Sequence, residues 1–164
     1  SCVSACIRDK VMGIGGMNHF MLPEPNDHSS ELWGTNPAAQ ESRYGNWAME
    51  FLINAILKRG GEKSNFEVKV FGGGQMMAKM TDIGQKNILF VYQYLAEEML
   101  KIEASDVGDV FARKVLYFPD TGNVKVRRIK DVKNDTIIRR ETEYEKHMSV
   151  DNQPKPDADN IELF

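Results

Sequence analysis

Two side chains in the opening stretch SCVSACIRDKVMGIGGMNHFMLP have the types that nucleophilic catalysis needs, Cys2 and His19. The thiolate is the attacking form of cysteine, and an ordinary thiol with a pKa of about 8.5 is only slightly ionised at neutral pH. A neighbouring imidazole raises that fraction and can carry the proton to and from the reacting groups. Taken singly, each residue has an ordinary explanation, because a cysteine in an apolar run packs as a small hydrophobe. The pair acquires meaning only if the fold brings its members together. Ser1 and Ser4 flank the thiol, but a small hydroxyl beside a strand cysteine needs no catalytic role. A terminal-amine mechanism at Ser1 would leave the Cys2/His19 spacing unexplained.

The elements that would position the pair are legible around it. SCVSACIRD alternates, with Val3, Ala5 and Ile7 on one face and Cys2, Ser4, Cys6 and Arg8 on the other, which predicts a strand. GMNHFMLP predicts a second strand with Met17, His19 and Met21 on one face. With Asp9 to Met12 as a four-residue loop, Arg8 falls opposite Gly13 and an unbroken register sets Cys2 opposite His19. Direct cross-strand partners have Cβ atoms about 4.5–5.5 Å apart. A bulge at the glycines would shift this register.

Farther along, the polar stretch 24–43, which contains His28, predicts a long functional or mobile loop. YGNWAMEFLINAILKRGG predicts an amphipathic helix whose stripe of Trp47, Phe51 and Ala55 enters the core, with Lys58, Arg59 and Gly60 as its stop. FEVKVFGGG predicts a strand running into a glycine turn that lacks the spacing of a nucleotide loop. IGQKNILFVYQYLAEEMLK predicts a helix with an apolar face of Ile88, Val91, Tyr92, Leu95, Met99 and Leu100. KIEASDVGD predicts another strand, and RKVLYFPDTGNVKVRRI a hairpin turning at Asp120 to Asn123. TIIRRETEYEKHM predicts a solvated helix, and DNQPKPDAD has too little apolar content to pack.

Composition narrows the function classes. The chain has 164 residues, 41% of them hydrophobic and 27% charged, and a net charge of -3, which gives no reason to expect nucleic-acid binding. No apolar run approaches the ~18 residues of a membrane span. Cys2 and Cys6 form C-x3-C with no second pair, so the spacing indicates neither a zinc site nor a disulfide framework, and a reducing compartment is expected.

The segments SCVSACIRD, GGMNHFMLP, RYGNWAMEFLINAILKRGG, KVFGGGQM, IGQKN and DVGD...RKVLYF...TGNVKV, in this order over residues 1–128, resemble the CheD family, chemoreceptor glutamine deamidases of bacterial chemotaxis. The resemblance implies Cys2 as nucleophile and His19 as base, with neither cofactor nor metal. It implies a three-layer α/β (α+β) sandwich with a mixed sheet and packed helices, related to the catalytic domain of cytotoxic necrotizing factor. The implied substrates are glutamines in the cytoplasmic domains of methyl-accepting chemoreceptors, with the CheC phosphatase as a second partner and the cytoplasm as location. The family's triad includes a threonine six residues before the cysteine, upstream of Ser1, so the expected domain, residues 1–148, is N-terminally incomplete, with 149–164 a flexible tail. Asp109 and Ala112 stand where the family pattern has glycine, and Gly74 where it has alanine, which concerns local loop shape. Asn87, Gln75 and Arg113 lie in family-like motifs, with structural roles as ready an explanation as substrate contact. Two other readings stay open: a non-catalytic module binding a receptor or CheC, and a different cysteine hydrolase.

Overall fold

The computed structural model describes residues 2–21, 44–75 and 83–129. These belong to a compact unit, Ser1–Val132, around a mixed four-stranded sheet. The predicted loop 24–43 with His28, the predicted helix of 136–148 and the tail lie outside the described residues, as does the expected boundary at 148.

The alternation of the opening segment produces β1 (Val3–Asp9), flanked on one side by β2 (Ile14–Met17) and on the other by β3 (Phe66–Gly72), both antiparallel to it. β4 (Ile102–Val107) lies parallel to β3, completing the order β2-β1-β3-β4. A parallel pair needs a long crossover, and helix α2 (Ile83–Glu97) lies in the connection between those strands. Helix α1 (Gly45–Leu57) packs with α2 on the face carrying Val3, Ala5, Ile7, Val68 and Val70, all fully buried.

The other face of the sheet presents Cys6, Arg8, Glu67 and Lys69, and the hairpin β5 (Ala112–Phe118) and β6 (Asn123–Ile129) lies against it. Arg8 donates to the Asp120 carbonyl oxygen at 2.9 Å and Lys69 to that of Gly122 at 2.7 Å. Glu67 takes ion pairs from Arg8 at 3.1 Å and Lys69 at 2.9 Å. Burial works against its charge, yet these two cations outweigh that and hold its carboxyl below the usual range. Helices, sheet and hairpin thus form three layers, the expected α+β arrangement.

Three sequence expectations are corrected. The β1–β2 loop runs from Lys10 to Gly13, and Arg8 pairs with Gly15 instead of Gly13. The cause is Asp9, whose Oδ1 accepts the amides of Val11 and Met12 at 2.8 and 2.9 Å while its own carbonyl accepts that of Gly13. Its Oδ2 reaches across to the Glu62 amide at 2.8 Å. Asp9 is therefore a buried strand residue that folds the following loop, and the register moves by two.

On α1, Phe51 is 61% exposed and stacks on half-buried Trp47 with centroids 5.0 Å apart, so the predicted stripe faces outward. Ala48, Met49, Leu52, Ile53 and Ile56 make a broader apolar arc than Trp47, Phe51 and Ala55, and burying that arc removes more surface from water. On α2, Tyr92 is partly exposed with its hydroxyl 3.1 Å from Ser105 Oγ. Met99 lies beyond the helix end at φ 56 and is 91% exposed, because the turn that leaves the helix breaks its periodicity. The buried row of α2 instead contains Gly84 and Asn87 beside Ile88, Val91 and Leu95, and Leu100 is buried as expected.

Candidate active site at the open end of the central hairpin

Cys2 immediately precedes β1, and His19 lies between the end of β2 and Phe20. The two segments are tied by a bridge between Val3 and Phe20, each donating its amide to the other's carbonyl oxygen at 3.0 and 2.9 Å. Both side chains are fully buried, with Phe20 set edge-on to the Phe90 ring at 5.7 Å. Alternation then assigns the residue before each, Cys2 and His19, to the opposite face. Cys2 is half-buried and His19 exposed.

The register change alters their relationship without separating them. Continued through the Val3–Phe20 bridge, it sets His19 opposite Ser4 and leaves Cys2 as its diagonal neighbour. A shift by two preserves the face, whereas a shift by one would have put the residues on opposite sides. Diagonal neighbours are about 7–8 Å apart, a span within reach of an aromatic-sized side chain.

Each residue sits on anchored backbone. The Cys2 carbonyl oxygen accepts the Gly73 amide at 2.7 Å, and the Gly72 carbonyl oxygen that of Gly108 at 2.8 Å. Gly72 and Gly73 have φ of 117 and 69, and a Cβ at Gly72 would fall 2.3 Å from the Cys2 oxygen, so this turn requires glycine to approach the thiol-bearing backbone. Asp109, where the family pattern has glycine, also adopts a glycine-like φ of 63 and accepts the Val110 amide on its side chain at 2.7 Å. That conformation explains the glycine preference there. A Cβ at Gly74 would lie 2.4 Å from the Phe111 carbonyl oxygen.

On the histidine side, Asn18 Oδ1 accepts the Ala5 amide at 2.9 Å and its Nδ2 approaches Met49 Sδ at 3.1 Å. Beyond His19, the Met21 carbonyl oxygen accepts Asn87 Nδ2 at 2.9 Å. Asn18 was not evident from the sequence as a support; its only signal is its place beside His19. Asn87 carried a clearer one, a polar residue in a row of apolar positions on α2. Arg113 is structural: it pairs with Asp106 at 2.8 Å and donates to the Gly108 carbonyl oxygen. Hydrogen bonds from Arg113 and then Arg128 hold the Asp106 carboxyl down at about 2. The Gln75 amide donates to the Asp109 carbonyl oxygen at 2.8 Å.

Cys6, on the same face of β1 as Cys2, has a different environment. It is 1% exposed, and desolvation pushes its thiol up to about 12 despite nearby Lys69. Among the described residues no cluster of three or more histidine, cysteine, aspartate or glutamate side chains could hold a metal ion, and no helix is long and apolar enough to cross a membrane.

Fold and strand pairing together define an α+β protein with a cysteine and a histidine on neighbouring segments, each next to a residue of the Val3–Phe20 bridge. The CheD chemotactic sensory transduction family matches residues 21–128. Similarity to individual relatives extends over the whole chain. A protein of Methylobacillus flagellatus named "Probable chemoreceptor glutamine deamidase CheD" is 47% identical over all of this chain and 78% of its own length. Proteins with the same name from Halorhodospira halophila and Hydrogenovibrio crunogenus are 44% and 43% identical, again over all of this chain and over 74% and 82% of their own lengths. The chain belongs to the CheD family.

Proposed function

We propose that this chain is a protein-glutamine deamidase acting in the cytoplasm on the cytoplasmic domains of methyl-accepting chemoreceptors, with Cys2 as nucleophile and His19 as base. The observation that carries the assignment of residues is the Val3–Phe20 bridge, which fixes the segments bearing the two side chains as neighbours. The names of the full-length relatives supply the substrate.

A glutamine side-chain amide is a poor electrophile with a poor leaving group, and the pair addresses both difficulties. His19 takes the thiol proton, Cys2 Sγ attacks the amide carbon, and hydrogen-bond donors nearby stabilise the oxyanion. The C–N bond then breaks as His19 returns the proton to the nitrogen, releasing ammonia and leaving a glutamyl thioester. Water, deprotonated by His19, attacks the thioester carbon; the C–S bond breaks, the thiol regains its proton, and glutamate is formed. The exposure of His19 suits this second half, which requires water at the imidazole. CheC is the second partner in this reading, binding the enzyme and restraining it.

The test is incubation of the chain with receptor cytoplasmic domains followed by mass spectrometry of their glutamines. Amide-to-acid conversion with ammonia release is expected from the parent and not from Cys2→Ala. Binding without conversion would favour a regulatory module, and backbone cleavage a peptidase.

A further inference from the structure

The nucleophile and the base lie on different segments, joined by the Val3–Phe20 backbone bridge and by the Asn18 side chain on the Ala5 amide. One element touches the supports of both. In the first turn of α2, Gly84 packs on the Gly73 carbonyl so closely that a Cβ there would fall 2.6 Å from its oxygen. Gly73 is the residue whose amide holds the Cys2 carbonyl oxygen at 2.7 Å. Three residues on, Asn87 shares this face of the helix, is fully buried, and donates to the Met21 carbonyl oxygen at 2.9 Å, two residues beyond His19. An apolar residue would suit the core row occupied by Ile88, Val91 and Leu95 equally well. A buried amide is costly unless it is hydrogen-bonded, and this one directs a bond at the histidine segment.

We infer that the opening turn of α2 sets the separation of Cys2 and His19, with Gly84 seating the turn that holds Cys2 and Asn87 acting as a positioning residue for His19. This rests on the reading of Cys2 and His19 as the catalytic pair. Asn87 touches neither the thiol nor substrate in this role; it acts by keeping the backbone beyond His19 from moving away from β1. Misplacement of a catalytic group by about 1 Å costs on the order of 10²-fold in rate, so one buried hydrogen bond is enough to matter.

The experiment compares the parent, N87L, H19A and the H19A/N87L double variant. Each is measured for receptor deamidation and for the rate of Cys2 alkylation by iodoacetamide against pH, at a temperature where circular dichroism shows the variant folded. N87L keeps the branched, four-heavy-atom side chain and removes the donor. It is expected to lower kcat roughly 10- to 100-fold with KM nearly unchanged, and to move the alkylation profile toward that of H19A. The double variant is expected to alkylate as H19A does, since the amide acts through the imidazole. If N87L is merely less heat-stable, with parental kcat and alkylation profile, Asn87 is structural and the inference fails. If H19A itself leaves both readouts unchanged, the catalytic pair is wrong and the inference falls with it. Should N87L not fold, N87S, whose shorter hydroxyl cannot span to the Met21 oxygen, is subject to the same expectations and the same refutation.

Discussion

Cys2, just before β1, and Cys6, in the middle of it, are the same kind of residue put to opposite uses. Cys2 and Cys6 are on one face of the strand, four residues apart, yet the first is half-buried and the second sealed under the β5–β6 layer with its thiol pushed up to about 12. At the closed end, Asp9 is fully buried and its carboxylate accepts backbone amides from two loops. At the open end, backbone bonds from Gly73 and Phe20 hold the chain while leaving His19 exposed. A strand's alternation decides which residues share a face, whereas the layer laid over that face decides which of them can react.

The strongest way to break this contrast is to exchange the cysteines' fates. Cys2→Ala is expected to lower receptor deamidation by at least ~10³-fold, the scale of losing a nucleophile, with an unchanged far-ultraviolet circular dichroism spectrum. Parental turnover in that variant would end the assignment of Cys2.

His19→Ala probes the coupling instead of the nucleophile. Iodoacetamide labelling of Cys2 near pH 7 is expected to slow about tenfold, the change in thiolate fraction for a shift of about one pKa unit. Cys6 is expected to stay unlabelled until the protein unfolds, because burial keeps its thiol neutral. Labelling of Cys6 in the folded parent at a rate matching Cys2 would erase the distinction between the two cysteines.

Acid should act on carboxylates at both ends of the sheet, Asp9 beside Phe66 and Asp106 beside Phe71. Asp9 is held below the ordinary carboxylate value chiefly by the amides of Met12 and Glu62, and Asp106 is held down at about 2 chiefly by Arg113. Folded-state values below the unfolded one mean that both contribute fully above the ordinary carboxylate value and lose their contribution as pH falls through the folded value. Thermal unfolding followed between pH 6 and pH 2, scanned in steps of about one unit, should show a falling midpoint below about pH 4. Asp9→Asn should flatten that fall; an equally steep profile in the variant would remove Asp9 from the account.

The smallest effect is expected from Cys6→Ala, which deletes one sulfur from a packed layer. A loss of about 1 kcal/mol in denaturant unfolding with deamidation within twofold of the parent is the expected result. A large loss of activity would mean that the covered cysteine contributes to catalysis.

Much of the fold was legible because it depends on local pattern. The alternation of β1, the helical character of α1 and α2, the glycine stop after α1 and a β5–β6 hairpin turning near Asp120 all appear in the structure. The misreadings have one origin, competition between nearby solutions that only packing resolves. Trp47 and Phe51 form a valid helical stripe, but the neighbouring arc buries more surface. Met99 continues an apolar series, but the chain leaves the helix before reaching it. The pairing of β1 with β2 could be counted from its loop, but the count depended on whether Asp9 belonged to the loop or the strand.

By itself, the sequence determined that Cys2 and His19 would sit on the same kind of face, since alternation is a property of the extended backbone and survives a slip of two residues. It also determined family membership, because ordered motifs are retained along the chain. Only the tertiary structure decided that the two are diagonal instead of directly opposite, through a carboxylate at Asp9 whose partners include Glu62, 53 residues away in the chain. It alone decided that Cys6 is covered and that Asn87 meets Met21, since burial and long-range hydrogen bonds arise between segments that no local pattern relates.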